Sequence, residues 1–315
     1  MSTFFSGLNP VWRVGIVVLF VLIVAQIAVF ALQRIDRKKD LSELSARVRA
    51  WWIMAAVFFG AVSLSNRVSL VLFALMSFWA MKEYVTLLKT RPADHHGLVL
   101  TFVAIPVQFL WIGLNPPWYG MFVIFIPVYV FLLIPMRLVL AKETAGFVAS
   151  VSQIQWGLMA FVFGFSHLAY LLTLPQFAGS EANGRTLVLF AVFVVEMSDV
   201  LQYVWGKTVG RHKIIPAVSP NKTWEGFIGG ILSATLLSLV IRFLTPFTVL
   251  ETVGVSLLIT VAGFCGGAVM SAVKRDFGVK DFGDVIAGHG GVLDRVDSLC
   301  YAAPIFFHYV RYFHT

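Results

Sequence analysis

The sequence predicts an all-α, polytopic membrane protein on three observations: its apolar composition, a series of long uncharged runs, and a one-sided distribution of Lys and Arg. Hydrophobic residues make up 59% of the 315 positions and charged residues 13%, with mean hydropathy +0.85. A water-soluble domain carries roughly 25% charge. Hydrocarbon about 30 Å thick needs about 20 apolar helical residues to cross it, and residues 14–32 supply such a run without a charge. A signal peptide would have a shorter core and a small-residue cleavage site, whereas this run leads into Arg34-Ile-Asp-Arg-Lys-Lys39.

Further apolar runs occupy residues 51–64, 68–88, 98–114, 121–139, 154–174, 186–205, 227–244, 252–270 and 298–310, which predicts about ten transmembrane helices. Run 51–64 is short and is followed by Arg67, so it could be a re-entrant piece. Parity favours counting it. With ten spans the basic segments 34–49, 89–91, 137–142, 207–222 and 274–295 share one side and hold most of the 24 Lys and Arg residues. Cytoplasmic loops retain positive charge during insertion, so both termini are expected outside and the polar segments inside. The absence of a transit peptide points to a bacterial inner membrane.

The net charge of +8 suits an anionic leaflet and calls for no nucleic acid. Cys265 and Cys300 both fall in apolar runs and are expected to pack as thiols rather than form a disulfide or metal site. No repeat, low-complexity tract or long soluble loop divides the chain. A single membrane domain is expected, with residues 1–195 as scaffold and 196–315 carrying the polar motifs.

Chemistry concentrates in two segments. The first is Ser198-Asp199…Gly206-Lys207…Ser219-Pro220-Asn-Lys222-Thr223-Trp224-Glu225-Gly226. Asp199 and Glu196 lie near the end of a span, where a carboxylate needs a partner or an aqueous cavity. Ser219-Pro220 resembles a turn into a helix. Lys222-Thr223 could hold a phosphate there, or Thr223 could simply cap the helix with Glu225 in its first turn. Glycines 226, 229 and 230, like 263, 266 and 267, suit close helix packing better than ligand contact.

The second segment runs from Lys274 to Asp297 and crowds Lys274, Arg275, Lys280 and Arg295 beside Asp276, Asp281, Asp284, Asp294 and Asp297. His289-Gly290-Gly291 stands just before Asp294-Arg295-Val-Asp297. If the chain is helical from Leu293, Asp294 and Asp297 share a face. Two carboxylates there could hold Mg²⁺, which takes oxygen ligands and is commonly completed by substrate phosphates. Glycines let backbone amides approach phosphate, and the cations neutralise it. A lipid-anchoring loop is the plainer alternative.

Taken together, Ser219–Gly226 and Ser271–Asp297 resemble the phosphatidate cytidylyltransferase family in motif, order and separation. The resemblance covers residues 196–300 closely. It implies transfer of a cytidylyl group from CTP to phosphatidate, giving CDP-diacylglycerol and pyrophosphate for phospholipid synthesis. The implied partners are CTP, phosphatidate or a related lipid phosphate, membrane lipids and a second copy of the chain. It implies Mg²⁺ held by Asp281, Asp294, Asp297 and Asp199. Lys274, Arg275, Lys280, His289 and Arg295 would act at the reacting phosphates, and Ser219, Lys222, Thr223, Gly290 and Gly291 would bind substrate. The sequence departs from the family pattern at Gly267, where an acid of the two-cation centre is usual, at Met270 in place of Glu, and more mildly at Gln202, Lys207 and Ala287. The span at 14–32 lies outside the usual match. These departures mark a divergent paralogue. Besides the family reaction they admit a catalytically altered lipid-binding or transport protein, or cytidylyl transfer to another lipid phosphate.

Overall fold

The computed structural model describes residues 9–35, 42–286 and 290–315. Ten helical rods run through them: α1 (Pro10–Ile35), α2 (Ser42–Leu64), α3 (Asn66–Leu87), α4 (Pro92–Gly113), α5 (Tyr119–Val139), α6 (Phe147–Leu171), α7 (Gly184–Thr208), α8 (Trp224–Val240), α9 (Val249–Asp276) and α10 (Leu293–His314). No β-strand occurs among the described residues. The protein is therefore all-α and polytopic, and each apolar run overlaps one rod. Seven rods, α1, α3 to α7 and α9, are long and apolar enough to cross a membrane.

The run at 51–64 is the core of a longer helix that starts at Ser42. Its first turns are polar but rich in Glu, Leu, Ala and Arg, which favour helix wherever they lie. Hydropathy alone hides them. Ser65 ends any continuity with the next helix by capping α3, its hydroxyl accepting the Val68 amide at 3.1 Å. The run at 227–244 also divides, into α8 and a short 3₁₀ turn at Arg242–Leu244.

Large apolar side chains point outward as well as inward. Leu19, Phe20, Ile23, Ile27 and Phe30 on α1 and Leu132, Leu133 and Met136 on α5 are exposed, as expected where the surrounding solvent is hydrocarbon. A continuous apolar core extends from Val11 to Val310, with Phe73, Phe122, Phe161, Phe165, Phe190, Phe306 and Phe307 fully buried.

Two π-helical turns, Phe125–Val130 in α5 and Leu158–Gly164 in α6, loosen the backbone ladder. The first contains Pro127. Side chains take up carbonyls in and beside these turns: Ser77 Oγ donates to Phe161 O at 3.0 Å and Gln155 Nε2 to Phe131 O at 2.7 Å. Such substitution is needed where no water reaches the backbone. Close approach needs small residues, and a Cβ at Gly164 would stand 2.7 Å from the Cys300 carbonyl. That contact fixes α6 against α10, the helix that carries the second polar motif.

Candidate active site

The segment before α8 folds back on itself. Ile214 N–H donates to Lys222 O at 3.1 Å and Trp224 N–H to His212 O at 2.9 Å, with an isolated bridge between Lys213 and Thr223. Thr223 is the helix cap, its Oγ1 accepting the Gly226 amide at 3.1 Å. Glu225 in the first turn accepts from the Arg211 amide at 3.0 Å and from His212 Nδ1 at 2.5 Å. The Arg211 amide foremost, and then the His212 side chain, hold the Glu225 carboxyl down at about 2. The capping reading of this stretch is therefore realised, and it positions Lys222 at the mouth of α8.

Around the start of α10 the loop winds about two carboxylates. Asp294 Oδ2 accepts the amides of Phe282 at 2.8 Å and Gly291 at 3.0 Å, and its Oδ1 pairs with Lys274 Nζ at 2.8 Å. Glu83, reaching in from α3 and only 6% exposed, accepts the Val292 amide at 2.9 Å and the Leu293 amide at 2.8 Å. The first amides of a helix have no partner within it, and its positive end favours an anion. Glu83 thus caps α10 from another helix. Gly290 adopts φ +80, and a Cβ there would meet Asp294 Oδ2 at 2.7 Å. Gly291 is pressed against Glu83. In this structure the two glycines let the loop close over carboxylates.

A cavity of about 880 Å³ opens between this loop and α7, α8 and α9. Asp199, Lys222, Thr223, Lys280, Asp281, Gly290, Asp294, Arg295 and Asp297 all line it. Ser298 joins two of the acids: its hydroxyl donates to Asp199 Oδ2 at 2.7 Å and its amide to Asp297 Oδ1 at 2.7 Å. Arg295 Nε is buried and has no hydrogen-bond partner among the described residues. A buried donor left unmade is costly, and in a cavity wall it suits an anionic ligand. Lys222 Nζ lies 4.5 Å from the centre of the Phe264 ring. It would also be 3.5 Å from a Cβ at Gly267.

Among the described residues no group of three or more His, Cys, Asp or Glu has metal-holding geometry. The donor set nevertheless suits a hard cation, because Asp199 and Asp297 are held side by side through Ser298 and Mg²⁺ needs only one or two carboxylates when phosphates and waters complete its shell.

The sequence-predicted residues separate into three groups. Asp199, Asp297, Lys222, Lys280, Asp281 and Arg295 meet at the cavity. Asp294, Gly290 and Thr223 form part of its wall, and Lys274 and Gly291, outside the lining, hold Asp294 through the bonds described above. Ser219 and Arg275 are not among the lining residues: the Ser219 carbonyl accepts the Lys222 amide at 3.3 Å, and Arg275 Nε donates to Val218 O at 3.3 Å. His289 lies outside the described residues. Sequence reasoning missed Glu83 and Ser298. An acid at the end of an apolar run was the only signal for the first, and nothing marked the second.

The glycines divide in the same way. A Cβ at Gly226, Gly230 or Gly266 would meet backbone atoms at less than 3 Å, so these positions serve helix packing. At Gly267 the nearest atoms are Ser298 Oγ at 3.4 Å and Lys222 Nζ at 3.5 Å, both polar groups of the cavity.

The fold and the cavity define an integral membrane protein with a charged, anion-suited chamber lined chiefly by its last four helices and the loops before α8 and α10. Known proteins identify the family. The sequence model of the Cytidylyltransferase family matches residues 45–313. The uncharacterized protein YnbB of Escherichia coli (strain K12) is 43% identical over 284 residues, covering 90% of this chain and 92% of that protein. The phosphatidate cytidylyltransferase of Staphylococcus haemolyticus is 30% identical over 261 residues, covering 80% of this chain and 94% of that protein. The Staphylococcus aureus phosphatidate cytidylyltransferase is 31% identical over the same length. The chain belongs to the cytidylyltransferase family. Its general activity is that of a membrane nucleotidyltransferase, and the family implies a nucleotide and a lipid as substrates.

Proposed function

We propose that the protein is a phosphatidate cytidylyltransferase, converting CTP and phosphatidate to CDP-diacylglycerol and pyrophosphate. The observation that carries this reading is the pairing of Asp199 and Asp297 through Ser298 in the same cavity as Arg295, whose buried Nε lacks a partner among the described residues. A phosphate oxygen of phosphatidate attacks the α-phosphorus of CTP, a new P–O bond forms, and the bond to the bridging oxygen breaks as pyrophosphate leaves. The nucleophile is already anionic near neutral pH, so the residues have little need to remove a proton. Their work is charge neutralisation, in-line positioning and stabilisation of the leaving group. Arg295, Lys222 and Lys280 neutralise phosphate charge, while Asp294, paired with Lys274, holds the loop that carries Lys280. Asp199 and Asp297 would hold Mg²⁺, which when bound supplies further neutralisation of the triphosphate. The chamber would face the cytoplasm, with both chain ends outside, so that CTP arrives from solution and the lipid headgroup from the adjoining leaflet.

The test is incubation of purified protein with radiolabelled CTP, phosphatidate and Mg²⁺. Labelled CDP-lipid with release of pyrophosphate is the expected result, and its absence across several phosphatidate analogues would overturn the reading. A second reading, a lipid-binding paralogue that has lost catalysis, is favoured by Gly267, which brings no carboxylate to a position beside Lys222 and Ser298. Binding of phosphatidate without turnover would select it. Turnover with another lipid phosphate in place of phosphatidate would instead change the acceptor.

A further inference from the structure

The first helix has no place in the family match, which begins at residue 45. It nevertheless reaches the chamber. On α1 the side chains of Val11, Val14, Leu22 and Val29 are buried, whereas Leu19, Phe20, Ile23 and Ile27 face outward. Near its start the helix is fastened, with Arg13 Nη1 3.0 Å from Glu181 Oε2 and Arg13 above the Phe243 ring. Gly15 lies so close to Phe59 that a Cβ would touch that ring at 2.9 Å. Two turns further on, Val21, Leu22 and Ala25 line the same cavity as Lys222 and Arg295, beside Val48 and Trp51 of α2.

One cavity thus has cations and paired acids on one wall and hydrocarbon on another. That complementarity fits an amphiphile with an anionic head, whereas CTP offers an apolar wall only the face of its cytosine ring. We propose that α1 forms the acyl-chain wall of the chamber, with one hydrocarbon tail of a lipid phosphate lying against Val21, Leu22 and Ala25. The inference rests on the reading of a lipid phosphate as acceptor, and it gives this chain a determinant of tail length that lies outside the family match.

The test uses the full-length protein in detergent, with Ala25→Phe and Val21→Phe narrowing the wall and Ile23→Phe adding the same bulk on the outward face. Both inward variants should raise the KM for dipalmitoyl phosphatidate about tenfold, the scale on which a hydrophobic pocket discriminates hydrocarbon. The KM for dihexanoyl phosphatidate and for CTP should stay at the wild-type value, and Ile23→Phe should change none of them. Equal effects on long and short acceptors, or no effect, overturn the proposal. A readout independent of turnover is quenching of Trp51 by phosphatidate with brominated acyl chains, taken as the difference between wild type and Trp51→Phe. That quenching should weaken in Ala25→Phe and be absent with brominated phosphatidylcholine. Quenching in a protein that makes no CDP-lipid would sink the reaction and keep the wall. Product formation without Trp51 quenching would sink the wall and keep the reaction.

Discussion

Two Asp–Arg–Ser clusters in this molecule share their residue types and differ in how fully those residues are engaged. Where α4 begins, Asp94 has a side chain only 2% exposed and is fully engaged: Arg91 reaches it from its amide at 2.9 Å and from Nη2 at 2.7 Å, and Ser150 Oγ donates at 2.9 Å. In the chamber, Asp199 and Asp297 share Ser298, while the neighbouring Arg295 keeps a buried nitrogen without a partner among the described residues. A closed cluster has spent its hydrogen-bonding capacity on the fold. An open one retains capacity for a ligand, at a cost that only the ligand relieves.

The two clusters should part most widely when a charge is removed. Asp297→Asn should lower CDP-lipid formation at least about 100-fold, the scale of losing one preorganised electrostatic contact in an enclosed site, with little change in thermal stability. Asp94→Asn should do the reverse, costing about 2 kcal/mol of stability through the charged hydrogen bonds it weakens and leaving turnover near wild type. Activity and melting temperature in detergent, measured on the same preparations, decide the matter. If Asp297→Asn melted early and kept its activity, the distinction between open and closed clusters would be wrong.

Glu83 stands between the two cases, because it is closed in itself yet anchors the open cluster. Its acceptors hold the first amides of α10, and Gly283 and Gly291 are packed against it. Glu83→Gln keeps the shape and removes the charge that complements the helix end. Misplacement of the loop by a fraction of an ångström should reduce kcat by about tenfold, within the range that small errors of position produce. CTP KM should change little, and Glu83→Asp should recover part of the loss. A variant that lost stability with no change in kcat would make Glu83 a structural residue only.

The rods were legible because apolar runs report directly on burial in hydrocarbon, and helix from Leu293, which the sequence admitted only as a condition, is where α10 begins. Pairing across the chain was not. Local spacing suggested Asp294 with Asp297, and only the family resemblance added Asp199; Asp294 accepts from Lys274, Phe282 and Gly291, and the acid joined to Asp297 is Asp199, through a Ser298 hydrogen bond spanning 99 positions. Glu83 is more distant still, 209 positions from Val292. Local periodicity carries no information about contacts of that range. The polar first turns of α2 were hidden for another reason: a hydropathy window detects the apolar part of a helix and is blind to its polar end.

Gly267 offers a way to sharpen the open cluster. A Cβ there would sit in ordinary contact with Ser298 Oγ and Lys222 Nζ, so Gly267→Asp should fit and add a carboxylate to the chamber. If the acids hold Mg²⁺ with too few ligands, the variant should require several-fold less Mg²⁺ for half-maximal activity, as added ligand charge strengthens a hard-cation site. A titration of activity against Mg²⁺ checks it. Unchanged Mg²⁺ dependence with lower activity would mean that the new acid merely captures Lys222.

The smallest effect concerns the loop that carries Lys222, whose fold is tied by Glu225 to Arg211 and His212. The Glu225 carboxyl is held at about 2, below its ordinary 4.5. A depressed acid contributes its stabilisation above the unfolded value and loses it as pH falls through the folded one. The tie is therefore complete from neutrality down to about pH 5 and is released between about 4.5 and 2. Hydrogen exchange at the Arg211 and His212 amides, corrected for intrinsic rates, should show constant protection from pH 7 to 5 and falling protection below. Glu225→Gln should have weaker protection throughout and no such acid transition. An identical transition in the variant would assign the loop's acid sensitivity to some other group and free Glu225 from this role.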